Sequence, residues 1–282
     1  VLCNVSVAPV MKYNSHQSEQ VTQVLLGESA DVLEQRAGWV RIRLRHDDYL
    51  GWASANQLHV IDEKELAEWQ SKIKIGSHDL IMPLLESPRK NSGAIGEFLF
   101  GTFLPVKTVT KAWTSVIMPD GKIGWVQSSA VTQPNEKKTV TTGHLAETAK
   151  RFLGISYQWG GRSVKGFDCS GFTQTVYRLN GVDIPRDASL QSLTGKEIGG
   201  PKRKSAPKAL MNFVEGDLLF FSANNAAESF PPKRITHVAM SLSGTEFIHA
   251  SGSVKVNSFD ESQPHFNELL LRDFVGACRI IG

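Results

Sequence analysis

The residues best able to do chemistry in this 282-residue chain cluster in Tyr157 to Phe172, YQWGGRSVKGFDCSGF. This stretch carries Cys169, one of three cysteines, directly behind Asp168. Phe172, Val176 and Leu179 then recur at helical spacing until Asn180-Gly181, so Asp168 reads as an N-cap and Cys169 as a first-turn residue. Unpaired amides and the positive end of the helix dipole favour a thiolate there, and the thiolate is the form that attacks a carbonyl. A lone cysteine is most often a small buried apolar residue. Gly160, Gly161, Gly166 and Gly171 argue instead for a place where substrate lies against backbone.

A thiol nucleophile needs a base, and ITHVAMSLSGTEFIHAS supplies two histidines on either side of a turn. Val238, Met240 and Leu242 alternate with Ala239 and Ser241, and a strand resumes from Glu246 to Ala250. With Ser243-Gly244-Thr245 as the loop, Leu242 opposes Glu246 and Ala239 opposes His249, which makes His237 and His249 diagonal neighbours on one face. A four-residue loop would put them on opposite faces. On the first register His237 can take the thiol proton while His249 holds its other ring nitrogen.

The elements that must position these groups follow from periodicity. Leu145, Ala149 and Phe152 share a helical face ended by Gly154, and GDLLFFSA, the histidine hairpin, VKVNSF and a closing FVGACRII read as strands. Helices followed by an antiparallel sheet make an α+β domain. Lys196 to Lys208 and Ser222 to Arg234 read as insertions, and Gln133 to Lys138 as a linker. Before the linker a β unit is repeated: DVLEQRAGWVRI with LGWAS recurs as PVKTVTKAWTSV with IGWVQ. Between the copies DEKELAEWQSK reads as a helical connector. The expected divisions are residues 1–61, 62–72, 73–133 and 134–282.

A net charge of +3 without a long basic run gives no argument for a nucleic-acid partner, and no stretch approaches the length of a membrane span. Cys3, Cys169 and Cys278 form no C-x-x-C pair, so no metal and no cofactor is expected. Cys3 and Cys278 are left to be either a disulfide or two thiols.

FDCSGF, THVAM and FIHAS, in that order, resemble the NlpC family of papain-like cell-wall cysteine peptidases, and the Trp and Gly-Trp strands upstream resemble bacterial SH3-like barrels. The resemblance implies a papain-like catalytic domain preceded by two small all-β SH3-like barrels. It implies Cys169 as nucleophile, His237 as base, His249 as third polar member and Tyr157 as an oxyanion donor. In the branch that joins SH3-like domains to this peptidase, the bond cut lies between γ-D-glutamate and a diamino acid, in wall-derived peptides with a free N-terminal L-alanine. There the first SH3-like domain closes one end of the groove. Glu19 and Tyr49 would receive the alanine ammonium, and Trp159, Asp168, Ser170 and Ser189 would lie near the peptide. The chain is then a monomer acting on a peptidoglycan-derived peptide, exported or periplasmic with its leader removed, or else cytoplasmic. An endopeptidase or amidase on intact wall, with the SH3-like pair as anchor, and a non-catalytic wall-binding protein are the alternatives.

Overall fold

The structure, a computed structural model, describes residues 1–133, 140–199, 213–223 and 235–281. The linker beyond Gln133 and most of both expected insertions lie outside these residues. The chain forms two compact units, Val1–Lys137 and Lys138–Gly282.

In the first unit, β1 (Leu2–Cys3) is followed by β2 (Val7–Met11), β3 (Gln20–Leu25), β4 (Ala30–Arg36), β5 (Trp39–Leu44), β6 (Leu50–Ser54) and β7 (Leu58–His59). Five of these form an antiparallel sheet in the order β3-β2-β6-β5-β4, and β1 pairs with β7. After helix α1 (Glu63–Ser71) come β8 (Lys74–Ser77), β9 (Ile81–Leu85), β10 (Ala94–Leu99), β11 (Phe103–Val109), β12 (Trp113–Ile117), β13 (Ile123–Gln127) and β14 (Val131–Thr132). These make a second sheet, ordered β10-β9-β13-β12-β11-β8-β14. The sequence repeat is a repeat of register. Trp39 opposes Ser54 and Ile42 opposes Gly51, while Trp113 opposes Gln127 and Val116 opposes Gly124. A side chain at Gly51 would collide with Val10, and one at Gly124 would crowd Leu84, so each Gly-Trp strand needs its glycine for the same reason.

The connector helix does more than span a gap. Asp62 and Glu65 close a capping box at its start, and Leu66 and Trp69 are buried with Leu2, Leu26, Leu84, Phe98 and Leu104 in one apolar cluster. Trp69 also donates its indole N–H to the Gly27 carbonyl at 3.2 Å. Burying Leu and Trp side chains contributes about 1.5–3 kcal/mol each, which ties the two sheets into one cooperative unit.

The second unit opens with α2 (Thr142–Lys150), the hairpin β15 (Arg162–Ser163) and β16 (Gly166–Phe167), α3 (Cys169–Leu179) and α4 (Ala188–Gln191). There follow β17 (Lys196–Gly199), β18 (Leu218–Phe221), β19 (His237–Ser243), β20 (Glu246–Ser251), β21 (Ser253–Ser258), a helical turn at Glu268–Asp273 and β22 (Phe274–Arg279). The sheet runs β17-β22-β18-β19-β20-β21. One expectation needs correction. Lys196 to Gly199, the start of an expected insertion, is an edge strand whose Lys196 and Glu197 oppose Arg279 and Cys278. The closing strand therefore lies inside the sheet, where alternating apolar residues can be covered on both sides. Phe152, Phe167 and Phe172 stack with ring centroids 4.8 to 6.3 Å apart, joining the end of α2, the small hairpin and α3. Cys3 and Cys278 are thiols, each buried in its own unit.

Candidate active site

Asp168 caps α3 as its type and position require. Its Oδ1 accepts the Gly171 amide at 2.6 Å, and its Oδ2 accepts the Gly160 amide at 2.9 Å. Arg186, 2% exposed, grips both carboxylate oxygens at 3.0 and 2.6 Å and donates to the Ser170 hydroxyl at 3.0 Å. This buried, bidentate pair fixes the start of the helix and therefore the place of Cys169. The neighbouring glycines serve the same end. A Cβ at Gly171 or at Gly161 would collide with backbone, the former with the Gly161 carbonyl and the latter with that of Gly166. They are glycines because main chain crosses main chain, and substrate is not needed to explain them.

The Cys169 sulfur accepts the amides of Ser170 and of Val238, the residue after His237. Thus α3 and β19 meet at the thiol. The expected thiolate is not the resting state. Burial, and then the Asp168 carboxylate, push the Cys169 thiol up to about 11, outweighing the amide hydrogen bonds and Arg186. Burial also lowers His237 to about 3, helped by His249 and Lys255. His249 is lowered to about 4 by burial and by Lys255, against the hydrogen bond that it donates to Asn257. Phe221 lies beside His237 and Phe247 beside His249, with ring centroids 5.6 and 5.5 Å away. At neutral pH the site is a thiol next to neutral imidazoles, suited to moving a proton as the bond forms.

His237 Nε2 and His249 Nδ1 are 2.8 Å apart, and His249 Nε2 is 2.8 Å from Asn257 Oδ1. The register is the expected one, since Met240 opposes Ile248 and Ser241 opposes Phe247. The turn differs. A bulge between Ser241 and Ser243 lets Ser243 oppose Glu246, so a two-residue turn with an extra residue in one strand gives the same alignment as a three-residue loop. Tyr157 completes the group. Burial, and then the neighbouring Cys169 and Asp168, push its phenol up to about 12, so it keeps the proton it would donate.

A model of the NlpC/P60 family matches residues 154–273, and one of the bacterial dipeptidyl-peptidase Sh3 domain matches residues 10–58. A gamma-D-glutamyl-L-lysine dipeptidyl-peptidase of Bacillus subtilis (strain 168) is 31% identical over 238 residues, covering 81% of this chain and 71% of that protein. The chain belongs to the NlpC/P60 family. Its members are cysteine peptidases, the enzyme class expected from the sequence. A protein of the same name from Bacillus cereus (strain ATCC 10987 / NRS 248) is 28% identical over 239 residues, with 81% of this chain and 66% of that protein covered. Dipeptidyl-peptidase 6 of Lysinibacillus sphaericus is 27% identical over 264 residues, covering 89% and 88%. The crystal structure of an NlpC/P60 family protein from Bacillus cereus ATCC 10987 has the same fold, with a TM-score of 0.80 at 24% identity over 100% of this chain and 99% of that chain. The fold is thus papain-like α+β with an SH3-like N-terminal domain.

In this NlpC/P60 chain Cys169, His237, His249 and Tyr157 come together. Asp168 and Ser170, expected beside the peptide, turn their polar atoms to Arg186. Trp159 is 62% exposed and Ser189 lies exposed on α4. In the first unit, Glu19 is exposed, with Lys12 Nζ 3.3 Å from its carboxylate, and Tyr49 packs half-buried against the core of the first sheet. Two functional neighbours were missed. Arg186 has no sequence signal beyond its place in PRDASLQ, because a buried arginine is recognised only by its partner. Asn257 was legible: a turn at Gly252 sets His249 opposite Lys255, and the register reasoning used for the first hairpin would have placed Asn257 on the same face. Among the described residues no group of three or more His, Cys, Asp or Glu could hold a metal, and no helix is long and apolar enough to cross a membrane.

Proposed function

We propose that this protein hydrolyses the bond between γ-D-glutamate and a diamino acid, meso-diaminopimelate or L-lysine, in peptidoglycan-derived peptides with a free N-terminal L-alanine. The observation that carries the reading is that relatives named gamma-D-glutamyl-L-lysine dipeptidyl-peptidase align across 81% of the chain, so that the likeness extends well beyond the catalytic region. The murein DD-endopeptidase of Escherichia coli (strain K12), by contrast, aligns over 41%.

In this reading His237 accepts the Cys169 proton as sulfur attacks the γ-carbonyl. The amides at the start of α3 and the Tyr157 hydroxyl hold the oxyanion, donors commonly worth about 3–4 kcal/mol. His237 then protonates the leaving amine, and water releases the thioester. Glu19, with Tyr49, takes the ammonium of the substrate alanine. The export expected of a wall peptidase belongs to the same proposal.

Mass spectrometry after incubation with L-Ala-γ-D-Glu-diaminopimelate, its N-acetylated form and intact wall tests this. Release of L-Ala-γ-D-Glu is expected from the free amine. Acetylation removes the ammonium charge and adds bulk where Glu19 would meet it, and should slow cleavage at least about tenfold. Glu19→Gln should narrow that gap. Equal cleavage of both peptides, or digestion of intact wall, would make the SH3-like region a wall anchor instead.

A further inference from the structure

We infer that Asn257 is a positioning residue that sets the proton order of the two histidines, acting through His249 and never touching substrate. The order follows link by link from what each atom can donate. Asn257 Nδ2 lies 2.9 Å from the His265 carbonyl. A carbonyl only accepts, so the NH2 must be on that side and Oδ1 must face His249. Oδ1 also only accepts, so the ring proton of His249 is on Nε2, 2.8 Å away. A neutral imidazole carries one ring proton, which leaves His249 Nδ1 as an acceptor. The donor 2.8 Å from it is then His237 Nε2–H. His237 Nδ1 is left with a bare lone pair, the state in which a base can take the thiol proton. The reverse order would place a proton on that nitrogen and disable it.

The outer end of this chain is anchored rather than loose. The segment after β21 folds back so that the Ser258 amide also donates to the His265 carbonyl at 3.0 Å, and the Asn267 amide donates to the Ser258 carbonyl at 2.9 Å. The Asn267 side chain approaches Asn257 Oδ1 at 3.4 Å, and the His265 ring meets Glu246 at 2.9 Å. The charged groups around the relay are Lys255, exposed and opposite His249, and the Glu246–His265 pair. None of them replaces an acceptor at His249 Nε2.

The inference rests on the catalytic roles proposed for Cys169 and His237, but one readout does not. Nitrogen-15 NMR of histidine-labelled full-length protein should show both His237 and His249 protonated at Nε2 in the wild type. Asn257→Leu should lose that single order and lower kcat about 10- to 100-fold with little change in KM, the usual scale for a lost orienting partner. Asn257→Asp keeps an acceptor, so it should hold kcat within about tenfold of wild type by the same scale. Its added negative charge stabilises imidazolium, so the base stays protonated to higher pH and the acidic limb of kcat/KM moves upward. A wild-type spectrum with Nδ1–H on either ring, or variants with unchanged kcat and pH profile, would overturn the assignment. If Asn257→Leu does not fold, an unmoved acidic limb in Asn257→Asp overturns it alone. If wild type leaves the γ-glutamyl peptide intact, the substrate reading fails, and the ring spectra with the alkylation rate of Cys169 still decide the role of Asn257.

Discussion

Two buried polar clusters meet at Cys169, and they are built on opposite principles. Asp168, Arg186 and Ser170 form a charged cluster in which the carboxylate takes two amides and a bidentate guanidinium. His237, His249 and Asn257 form a neutral chain, each link a single hydrogen bond of 2.8 Å. Full charges inside a protein are costly to separate, so the first cluster is rigid and holds the helix start in place. The neutral chain has little charge to strand, and one of its members can change protonation without breaking the fold. A scaffold and a proton carrier thus sit side by side because their charge states differ.

The strongest test of the contrast is on turnover. His237→Ala should lower kcat by about 10²- to 10⁴-fold as the base is lost, and His249→Ala by clearly less, since orienting a base is worth less than being one. Equal losses would remove the distinction between base and orienter. Next comes stability. Arg186→Leu leaves the Asp168 carboxylate without its buried partner and should cost about 3–5 kcal/mol in urea unfolding. Asn257→Leu leaves a neutral group unsatisfied and should cost about 1–3 kcal/mol. If the two costs are the same, the clusters are not different in kind.

A smaller effect separates them by pH. The two imidazoles have folded values of about 3 and about 4 against 6.5 in the unfolded chain, so the unfolded state binds more protons as pH falls. Their stability is therefore complete above pH 6.5 and is lost on going down toward the folded values, with a slope approaching about 1.4 kcal/mol per pH unit for each ring. Unfolding free energies of wild type and His249→Gln between pH 7 and about 4 should differ in slope, the variant being flatter. Parallel curves would count against a neutral buried relay. The smallest effect links the clusters. Asp168 raises the Cys169 thiol, so Asp168→Asn, which keeps an N-cap, should move the pH midpoint of Cys169 alkylation below that of the wild type. An unmoved midpoint would mean that the carboxylate field does not reach the sulfur.

What the sequence determined by itself is what depends on neighbours along the chain. Helical spacing after Cys169, the cap at Asp168, the alternation around His237 and His249, and the Trp and Gly-Trp repeat are local patterns set by backbone geometry, and each stands where it was read. Tertiary structure decided what depends on partners distant in sequence. Lys196–Gly199 became a strand because Arg279 and Cys278 present a pairing edge, and Arg186 became the clamp of Asp168 because folding removes both from water together. The thiol state turned the same way. A helix start favours thiolate by a local field, but burial beneath residues far along the chain opposes it more strongly, and no reading of the sequence in order contains that desolvation.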